Sequence, residues 1–164
     1  MEPIHIADIK ALALRAHNDC RLREGLFADL LDSDDRHKAY PAAWALTHLP
    51  PEDTMHIKKY RARLADYAMS TTDTSLRRLS MVLLERLEWD IDDVRADLLD
   101  FCMEHMMLPA EPYGVKALCI KLAYRQCRHF PELREELRQH LLLMEPSELG
   151  AGVRHTRNKT LKQL

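Results

Sequence analysis

The stretch LREGLFADLL at residues 22–31 returns as LREELRQHLL at residues 133–142, and this recurrence decides the fold. The two stretches agree at six of ten positions, and 111 residues separate them, which is three times 37. Both show the leucine spacing of an amphipathic helix. A helix that recurs at a multiple of a fixed interval indicates a protein built from internal repeats.

A second set of segments supports the same period independently. Their first residues follow one another at intervals of 36, 39 and 38 residues, and a proline or a basic residue comes next in each. The segments begin at Tyr40, Leu76, Val115 and Val153. A period near 40 residues, made of two antiparallel helices, is typical of HEAT and armadillo solenoids. We therefore predict an all-α fold, an α-α superhelix of the right-handed HEAT/armadillo-like solenoid type.

Helical periodicity runs through almost the whole chain, and no stretch alternates apolar and polar residues for long enough to predict a strand. The 164 residues include no Gly-rich or Ser-rich linker, which suits a single HEAT/armadillo-like domain over residues 1–164. We expect about nine helices in it. They cover roughly residues 5–16, 21–31, 37–48, 53–69, 74–87, 91–107, 112–127, 131–143 and 148–163.

Turn chemistry marks several of the helix ends. Asp73 and Asp92 are the expected N-caps of the helices that follow them, and Pro131 suits the first turn of another. Carboxylates at a helix start are favoured by the helix dipole, which explains the acidic residues 90–93 without a bound ion. Pro41 would break a helix interior, so we expect that helix to start near Pro41 or to bend there.

Composition narrows the class of protein. The chain is 46% apolar and 30% charged, and it has neither a long apolar segment nor the start of a signal peptide. We therefore expect no membrane association. The four cysteines lie within helical patterns beside apolar residues, where reduced thiols act as small hydrophobic groups. This pattern favours a cytoplasmic protein, and we expect a monomer.

Charge is distributed unevenly along the chain. Residues 1–111 carry 14 Lys and Arg against 21 Asp and Glu, whereas residues 112–164 carry 10 against 5. Arg77, Lys116 and Arg154 occupy equivalent repeat positions, and Arg157 and Lys159 follow on a last helix without acids. These five cations are the candidate residues for binding a partner, with an acidic protein or peptide favoured by the charge.

Two alternatives remain for these cations. Stacked repeats would align the first three into a row. In one interpretation the preceding carboxylates, Glu111, Asp73 and Glu148, neutralise the row as ordinary structural pairs. In the other, the row and the basic last helix bind an acidic peptide or a phosphate-bearing partner at the C-terminal end of the chain. The last helix itself has an apolar side and a basic side, and we expect it to close the end of the solenoid.

Several segments resemble a known group of proteins. They are PAAWAL at 41–46, PAEPYGVK at 109–116, FPELREEL at 130–137 and GAGVRHTRNKTLKQL at 150–164. Together they resemble short bacterial HEAT-like proteins of unknown role, some of which carry the label adenylosuccinate lyase. The resemblance spans roughly residues 20–164 and implies the fold. We expect no such lyase activity, because the chain lacks the glycines and the Met-Pro pair of the mobile loop in those enzymes.

No catalytic, cofactor or metal site is expected. The phosphate-binding, nucleophile-elbow and His-Glu-x-x-His motifs are absent. His17 with Cys20 and Cys102 with His105 each place two zinc-capable side chains on one helical face, but the two pairs lie more than two repeats apart. Packed thiols and hydrogen-bonded histidines are the simpler interpretation. We likewise expect the thiols of the helix at 112–127 to be buried.

Two functional classes fit these features. The favoured one is a non-enzymatic scaffold that presents a curved surface to a protein or peptide. The alternative is a nucleic-acid-binding or DNA-repair protein, because the HEAT-like alkylpurine DNA glycosylases resemble this fold. The sequence pI near 6.5 makes the alternative less favoured, because phosphates require many neutralising cations.

Overall fold

The computed structural model describes residues 2–164, and within them the chain forms ten α-helices, three short 3-10 helices and no β-strand. The α-helices are α1 (Ile6–Asn18), α2 (Cys20–Leu31), α3 (Arg36–Thr47), α4 (Thr54–Lys58), α5 (Arg61–Ser70), α6 (Thr74–Arg86), α7 (Ala96–His105), α8 (Tyr113–Cys127), α9 (Pro131–Leu143) and α10 (Ala151–Gln163). The 3-10 helices are Pro51–Asp53, Ile91–Asp93 and Pro146–Glu148. The expected all-α fold is confirmed. No helix in this part of the chain is long and apolar enough to cross a membrane.

An additional break separates α4 from α5, where the sequence predicted one helix over residues 53–69. The Tyr60 N–H bonds to the Ile57 carbonyl at 2.9 Å, which tightens the backbone into a turn. The Tyr60 ring stacks on Phe27 of α2, with ring centroids 3.8 Å apart. This contact joins residues distant in the sequence, so helical periodicity cannot reveal it.

Two of the expected helix ends are confirmed, and one is wrong. The Asp73 carboxylate accepts hydrogen bonds from the N–H groups of Ser75 and Leu76 and caps α6, and Pro131 is the first residue of α9. Asp92 caps no helix, because it lies inside the 3-10 helix Ile91–Asp93, which Asp90 caps. The carboxylate of Asp93 accepts from the Asp90 N–H at 3.0 Å and completes that capping box.

Pro41 lies inside α3 instead of at its start. Asp35 precedes the helix and caps it, since its carboxylate accepts from the His37 N–H at 2.9 Å. The missing N–H of proline removes one intrahelical hydrogen bond. Burial of the neighbouring Ala39, Ala42 and Ala43 at 1% exposure or less holds this segment in place. Packing therefore outweighs the local cost of the proline.

The helices fall into two compact units. In the first unit, which ends at Leu87, α2 packs against α3, α5 packs against α6, and α3 also packs against α6. Sequence neighbours thus form helix pairs, as the repeat period predicts. The core of this unit consists of apolar side chains that are 1% exposed or less, among them Phe27, Leu30, Leu46, Ile57, Leu64, Leu83 and Leu84.

The second unit spans Glu88–Leu164. Its central helix is α8, which packs against α7, α9 and α10. Trp89 and Leu122 are fully buried, and α9 contributes Leu137 and Leu141 to the same core. The last helix, α10, packs mainly against α8, and its Val153 is 1% exposed. Its role in closing the end of the solenoid stays a prediction.

Candidate partner-binding site

The five cations singled out in the sequence lie in different surroundings. Arg77 is on α6 in the first unit. Lys116 is on α8 in the second unit, and the other three, Arg154, Arg157 and Lys159, are on α10. Because α8 and α10 pack against each other, the structure brings four of the five candidates onto two neighbouring helices.

Two of the candidates hold helix ends together. Arg77 donates from Nε to the Ala68 carbonyl at 2.9 Å and from Nη2 to the Thr71 carbonyl at 2.5 Å, at the end of α5. Arg157 is 9% exposed and donates from Nε to the Leu141 carbonyl of α9 at 2.8 Å. A cation at the carboxyl end of a helix satisfies free carbonyls and complements the helix dipole.

The same device occurs in the first helix pair. Arg23 of α2 is 7% exposed and donates from Nη1 to the Ala16 carbonyl of α1 at 3.0 Å. In three helix pairs, an arginine of the later helix thus hydrogen-bonds to a carbonyl in the last turns of the helix that precedes it. For Arg77 and Arg157 these bonds describe a role in packing, whereas their part in binding a partner stays a prediction.

The outer side of α10 carries exposed basic side chains that are available to a partner. This surface, here called the basic face, consists of Arg154, His155, Lys159 and Lys162. Residues 149–164 contain no acid, and within residues 2–164 none of these side chains forms an ion pair. The guanidinium of Arg154 makes one long hydrogen bond, from Nη2 to the Leu149 carbonyl at 3.4 Å.

Two of the three carboxylates expected to neutralise the candidate cations, Asp73 and Glu111, bond to other side chains. Burial by itself would raise the pKa of Asp73, but hydrogen bonds from the Leu76 N–H and from Arg36 Nε at 2.5 Å outweigh it and hold that pKa below its usual value. Glu111 accepts from His105 Nδ1 at 2.6 Å. Glu148 is exposed, and within the described chain it forms no ion pair with Arg154.

A cavity of about 480 Å³ opens in the second unit beside the amino end of α8. Here it is called the α8 cavity, and three parts of the chain line it: residues 106–116, residues 143–145 and residues 148–149. Buried Met106 and Met144 supply apolar surface inside, while Tyr113 and Leu143 at the mouth are 55% and 75% exposed. Its volume lies within the range of small-ligand sites, which is roughly 300–1,000 Å³.

Lys116 is the buried cation of this cavity. It is 8% exposed, and within residues 2–164 its ammonium forms neither a hydrogen bond nor an ion pair. The ring of Tyr113 lies nearby, with its centroid 5.9 Å from Nζ. An ammonium without a bonded carboxylate that lines a cavity can pair there with an anionic group of a ligand.

Each acidic side chain around the cavity either has a hydrogen-bond partner or lies exposed at the rim. His105, which bonds to the buried Glu111, also stacks on Phe101 with ring centroids 3.7 Å apart. The Glu145 carboxylate accepts from the hydroxyl of Ser147 at 3.1 Å, and Glu148 is exposed. Lys116 is therefore the cation for which a ligand's negative charge would supply the missing partner.

A glycine brings the start of α10 to the mouth of the cavity. A Cβ atom on Gly150 would lie 2.9 Å from Cδ2 of Tyr113, which is closer than real Cβ contacts. Gly150 therefore permits the close approach of the backbone to the aromatic ring. Sequence analysis placed Lys116 among the candidates but missed Tyr113 and Gly150. Their signal was the pair of glycine-containing helix starts, PYGVK and LGAGV.

The cysteines behave as packed thiols at three of the four positions. Cys102, Cys119 and Cys127 are fully buried, as expected for α8, whereas Cys20 is exposed. A hydrogen bond with Cys119 and burial raise the pKa of Cys102, and burial raises the pKa of Cys127 to about 12. Thiols with raised pKa values are poor nucleophiles at neutral pH.

One of the two His and Cys pairs is arranged differently from the prediction. His17 lies at the end of α1 and bonds from Nδ1 to Asp53 at 2.8 Å, whereas Cys20 begins α2, so the two do not share one helical face. Cys102 and His105 do share α7. Across residues 2–164 no group of three or more His, Cys, Asp or Glu side chains is placed to hold a metal ion.

Comparison with known proteins assigns the family. No curated protein and no solved structure matches the chain. The family model for the HEAT repeat domain matches residues 1–164, the whole sequence. This match agrees with the paired helices of both units and with the period of the sequence. The chain therefore belongs to the HEAT repeat domain family.

Proposed function

We propose that this protein is a non-enzymatic scaffold that binds an acidic protein or peptide segment on the basic face of α10. The observation that carries the proposal is the set of exposed cations on that helix, with no acid between residues 149 and 164. Surface cations without carboxylate neighbours attract an oppositely charged partner and speed its association. HEAT repeats commonly mediate protein interactions, which supports this role for a member of the family.

The number of available cations favours a short segment over a long polyanion. The basic face offers three permanent charges, Arg154, Lys159 and Lys162, whereas Arg157 on the same helix is committed to the end of α9. The formal net charge of the whole chain is −2. A protein that tracks a nucleic-acid backbone neutralises many phosphates, so nucleic-acid binding is the less favoured alternative.

The proposal is tested with a random peptide library displayed on phage and selected on the immobilised full chain. We expect selected peptides to be enriched in Asp and Glu, and their affinity to fall as salt rises. The variant Arg154→Glu/Lys159→Glu/Lys162→Glu should lose this binding. The matched control, Lys10→Glu/Lys38→Glu/Lys58→Glu, makes the same charge change at exposed positions of the first unit and should retain it.

Two results would contradict the proposal. One is selection of peptides without acidic enrichment, or binding that the basic-face variant retains. The other is tighter binding of a DNA duplex of about 20 base pairs than of any selected peptide, with a steep dependence on salt, which would support the nucleic-acid alternative. Anisotropy of labelled peptide and labelled duplex measures both affinities on the same protein preparation.

We also propose that the chain has no adenylosuccinate lyase activity and acts in the cytoplasm. The absence of a matching catalytic loop in the sequence and the packed, high-pKa thiols of the second unit support the first statement. Four free cysteines support the second, because they suit a reducing compartment. Saturable conversion of adenylosuccinate to AMP and fumarate by purified protein would overturn the lyase statement.

A further inference from the structure

We infer that the α8 cavity binds the C-terminal carboxylate and the last apolar side chain of a partner polypeptide, with Lys116 as the counter-ion. The inference rests on the proposed function for the identity of the partner as a polypeptide. Its physical basis is separate, because it depends on the buried Lys116 and not on the exposed basic face.

The first step is the unpaired charge. Lys116 is more than nine-tenths buried, it lines the cavity, and within the described residues no carboxylate is bonded to it. The nearby aromatic ring of Tyr113 is a weak partner at 5.9 Å compared with an anion in direct contact. A ligand carboxylate would give the Lys116 ammonium a directly bonded partner of opposite charge.

The second step is the backbone around the same cavity. Residues 112 and 113 at the start of α8, and residues 148 and 149 just before α10, border the cavity or lead into it. Neither helix has a side-chain cap at its N-terminus. An uncapped helix N-terminus favours anions through free N–H groups and the helix dipole, so the start of α8, which lines the cavity, acts in the same direction as Lys116.

The third step is the shape and chemistry of the remaining surface. Met106, Met144 and Leu149 provide an adaptable apolar lining, which suits one aliphatic or aromatic side chain. Exposed Glu145 and Glu148 at the rim would repel a run of acids entering the cavity. One carboxylate attached to one apolar group therefore fits better than a phosphate chain or a polyacidic segment.

The location also suits a partner already held by α10. Leu149 borders the cavity, and its carbonyl accepts the hydrogen bond from Arg154 of the basic face. Gly150, the next residue in the chain, lies against Tyr113 at the cavity mouth. A polypeptide could thus place its end in the cavity while an upstream acidic segment lies along α10.

The test uses the full chain with ¹³C-methyl-labelled methionine and follows the methyl resonances of Met106 and Met144. N-acetyl-leucine, which mimics a C-terminal leucine, should shift both resonances saturably. N-acetyl-leucinamide, which lacks the negative charge, should bind at least about tenfold more weakly than N-acetyl-leucine. N-acetyl-glycine, which lacks the apolar side chain, should bind more weakly than N-acetyl-leucine by a similar factor.

Variants at Lys116 test the counter-ion directly. Lys116→Met keeps the apolar stem and should abolish the preference for the acid over the amide, whereas Lys116→Arg should keep it. The acid–amide comparison on the unaltered protein remains decisive if a variant fails to fold. Basic-face charge reversal should leave N-acetyl-leucine binding in place, so the two proposals fail separately.

Four results would overturn the inference. They are equal binding of acid and amide, an unchanged preference in Lys116→Met, no methyl shift up to the solubility limit of N-acetyl-leucine, and comparable binding of inorganic phosphate. Acetyl-Ala-Ala-Leu separates the two sources of such a carboxylate. It should bind at least as tightly as N-acetyl-leucine, and its exclusion would show a site for small carboxylic acids instead of polypeptide ends.

Discussion

Replacing Arg157 with methionine should destabilise the second unit, although the neighbouring Arg154 can be replaced at almost no cost. Arg157 is 9% exposed and donates to the Leu141 carbonyl at 2.8 Å. That carbonyl has one other donor, the Met144 N–H at a longer 3.3 Å. Methionine keeps the length of the apolar stem and removes both hydrogen bonds of the guanidinium, the one to the Leu141 carbonyl and the one from Nη1 to Asn158 Oδ1 at 2.7 Å.

The expected loss follows from the partly satisfied carbonyl. A buried acceptor that loses its partner costs about 1–3 kcal/mol, and the remaining Met144 bond places the loss at about 1–2 kcal/mol. For a chain of this size each kcal/mol lowers the melting temperature by about 2–4 °C. Arg154→Met, one turn away on the same helix, should change stability by less than about 0.5 kcal/mol.

Urea unfolding followed by tryptophan fluorescence measures this difference. Trp89 is fully buried in the second unit and Trp44 belongs to the first, so a Trp44→Phe background reports the unit that contains α10. The midpoint should fall for Arg157→Met and stay in place for Arg154→Met, with equal slopes in both. Equal midpoints for the two variants would refute the packing role of Arg157.

The remaining predictions concern a helix cap, the mouth of the α8 cavity and the thiols. Asp73→Ala should cost about 1 kcal/mol because it removes the cap of α6, whereas Asp92→Ala, which removes no cap, should be nearly neutral. Urea unfolding of the chain that keeps both tryptophans measures both, because Asp73 lies in the first unit with Trp44 and Asp92 lies in the second unit with Trp89. The pKa of Asp73 is lowered in the folded state, so its contribution to the free energy of unfolding is present above its unfolded pKa. That contribution should disappear as the pH falls through its folded-state pKa. A stability difference between the unaltered protein and Asp73→Ala that stays constant at every pH would argue against this. Gly150→Ala should displace the ring of Tyr113 and weaken binding of N-acetyl-leucine severalfold with a helical circular dichroism spectrum unchanged, and unaltered affinity would show that the close approach does not shape the cavity. A thiol-reactive chromophore at neutral pH should label Cys20 rapidly and the other three cysteines only on unfolding, and rapid labelling that persists in Cys20→Ser would contradict the burial of those three thiols.

The sequence by itself determined the class of fold, because repeat period and helical periodicity are properties of local order. The recurrence of residues 22–31 at 133–142 lies in α2 and α9, and both segments are helical. The sequence also predicted helix caps correctly where the capping residue interacts with the turn that follows it. Asp73 and Pro131 show this, since each contacts or shapes residues that follow it directly.

Long-range packing decided the helix breaks that the sequence did not reveal. Tyr60 stacks on Phe27 of another helix at the break between α4 and α5, and Pro41 stays within α3 because its alanine neighbours are buried. Neither contact leaves a trace in the local pattern of apolar residues. Helical periodicity therefore predicted one helix where two form, and proline chemistry predicted a start or a bend at Pro41, which lies inside α3.

Tertiary structure also sorted the candidate cations, which the sequence could treat only as like charges. Arg157 and Arg154 lie three residues apart on one helix, yet one reaches a carbonyl of α9 and the other remains exposed. Lys116 became notable only when the fold enclosed it in a cavity without a carboxylate bonded to it. Burial and the position of hydrogen-bond partners are set by packing between helices, and they decide whether a charge supports the fold or is available to a ligand.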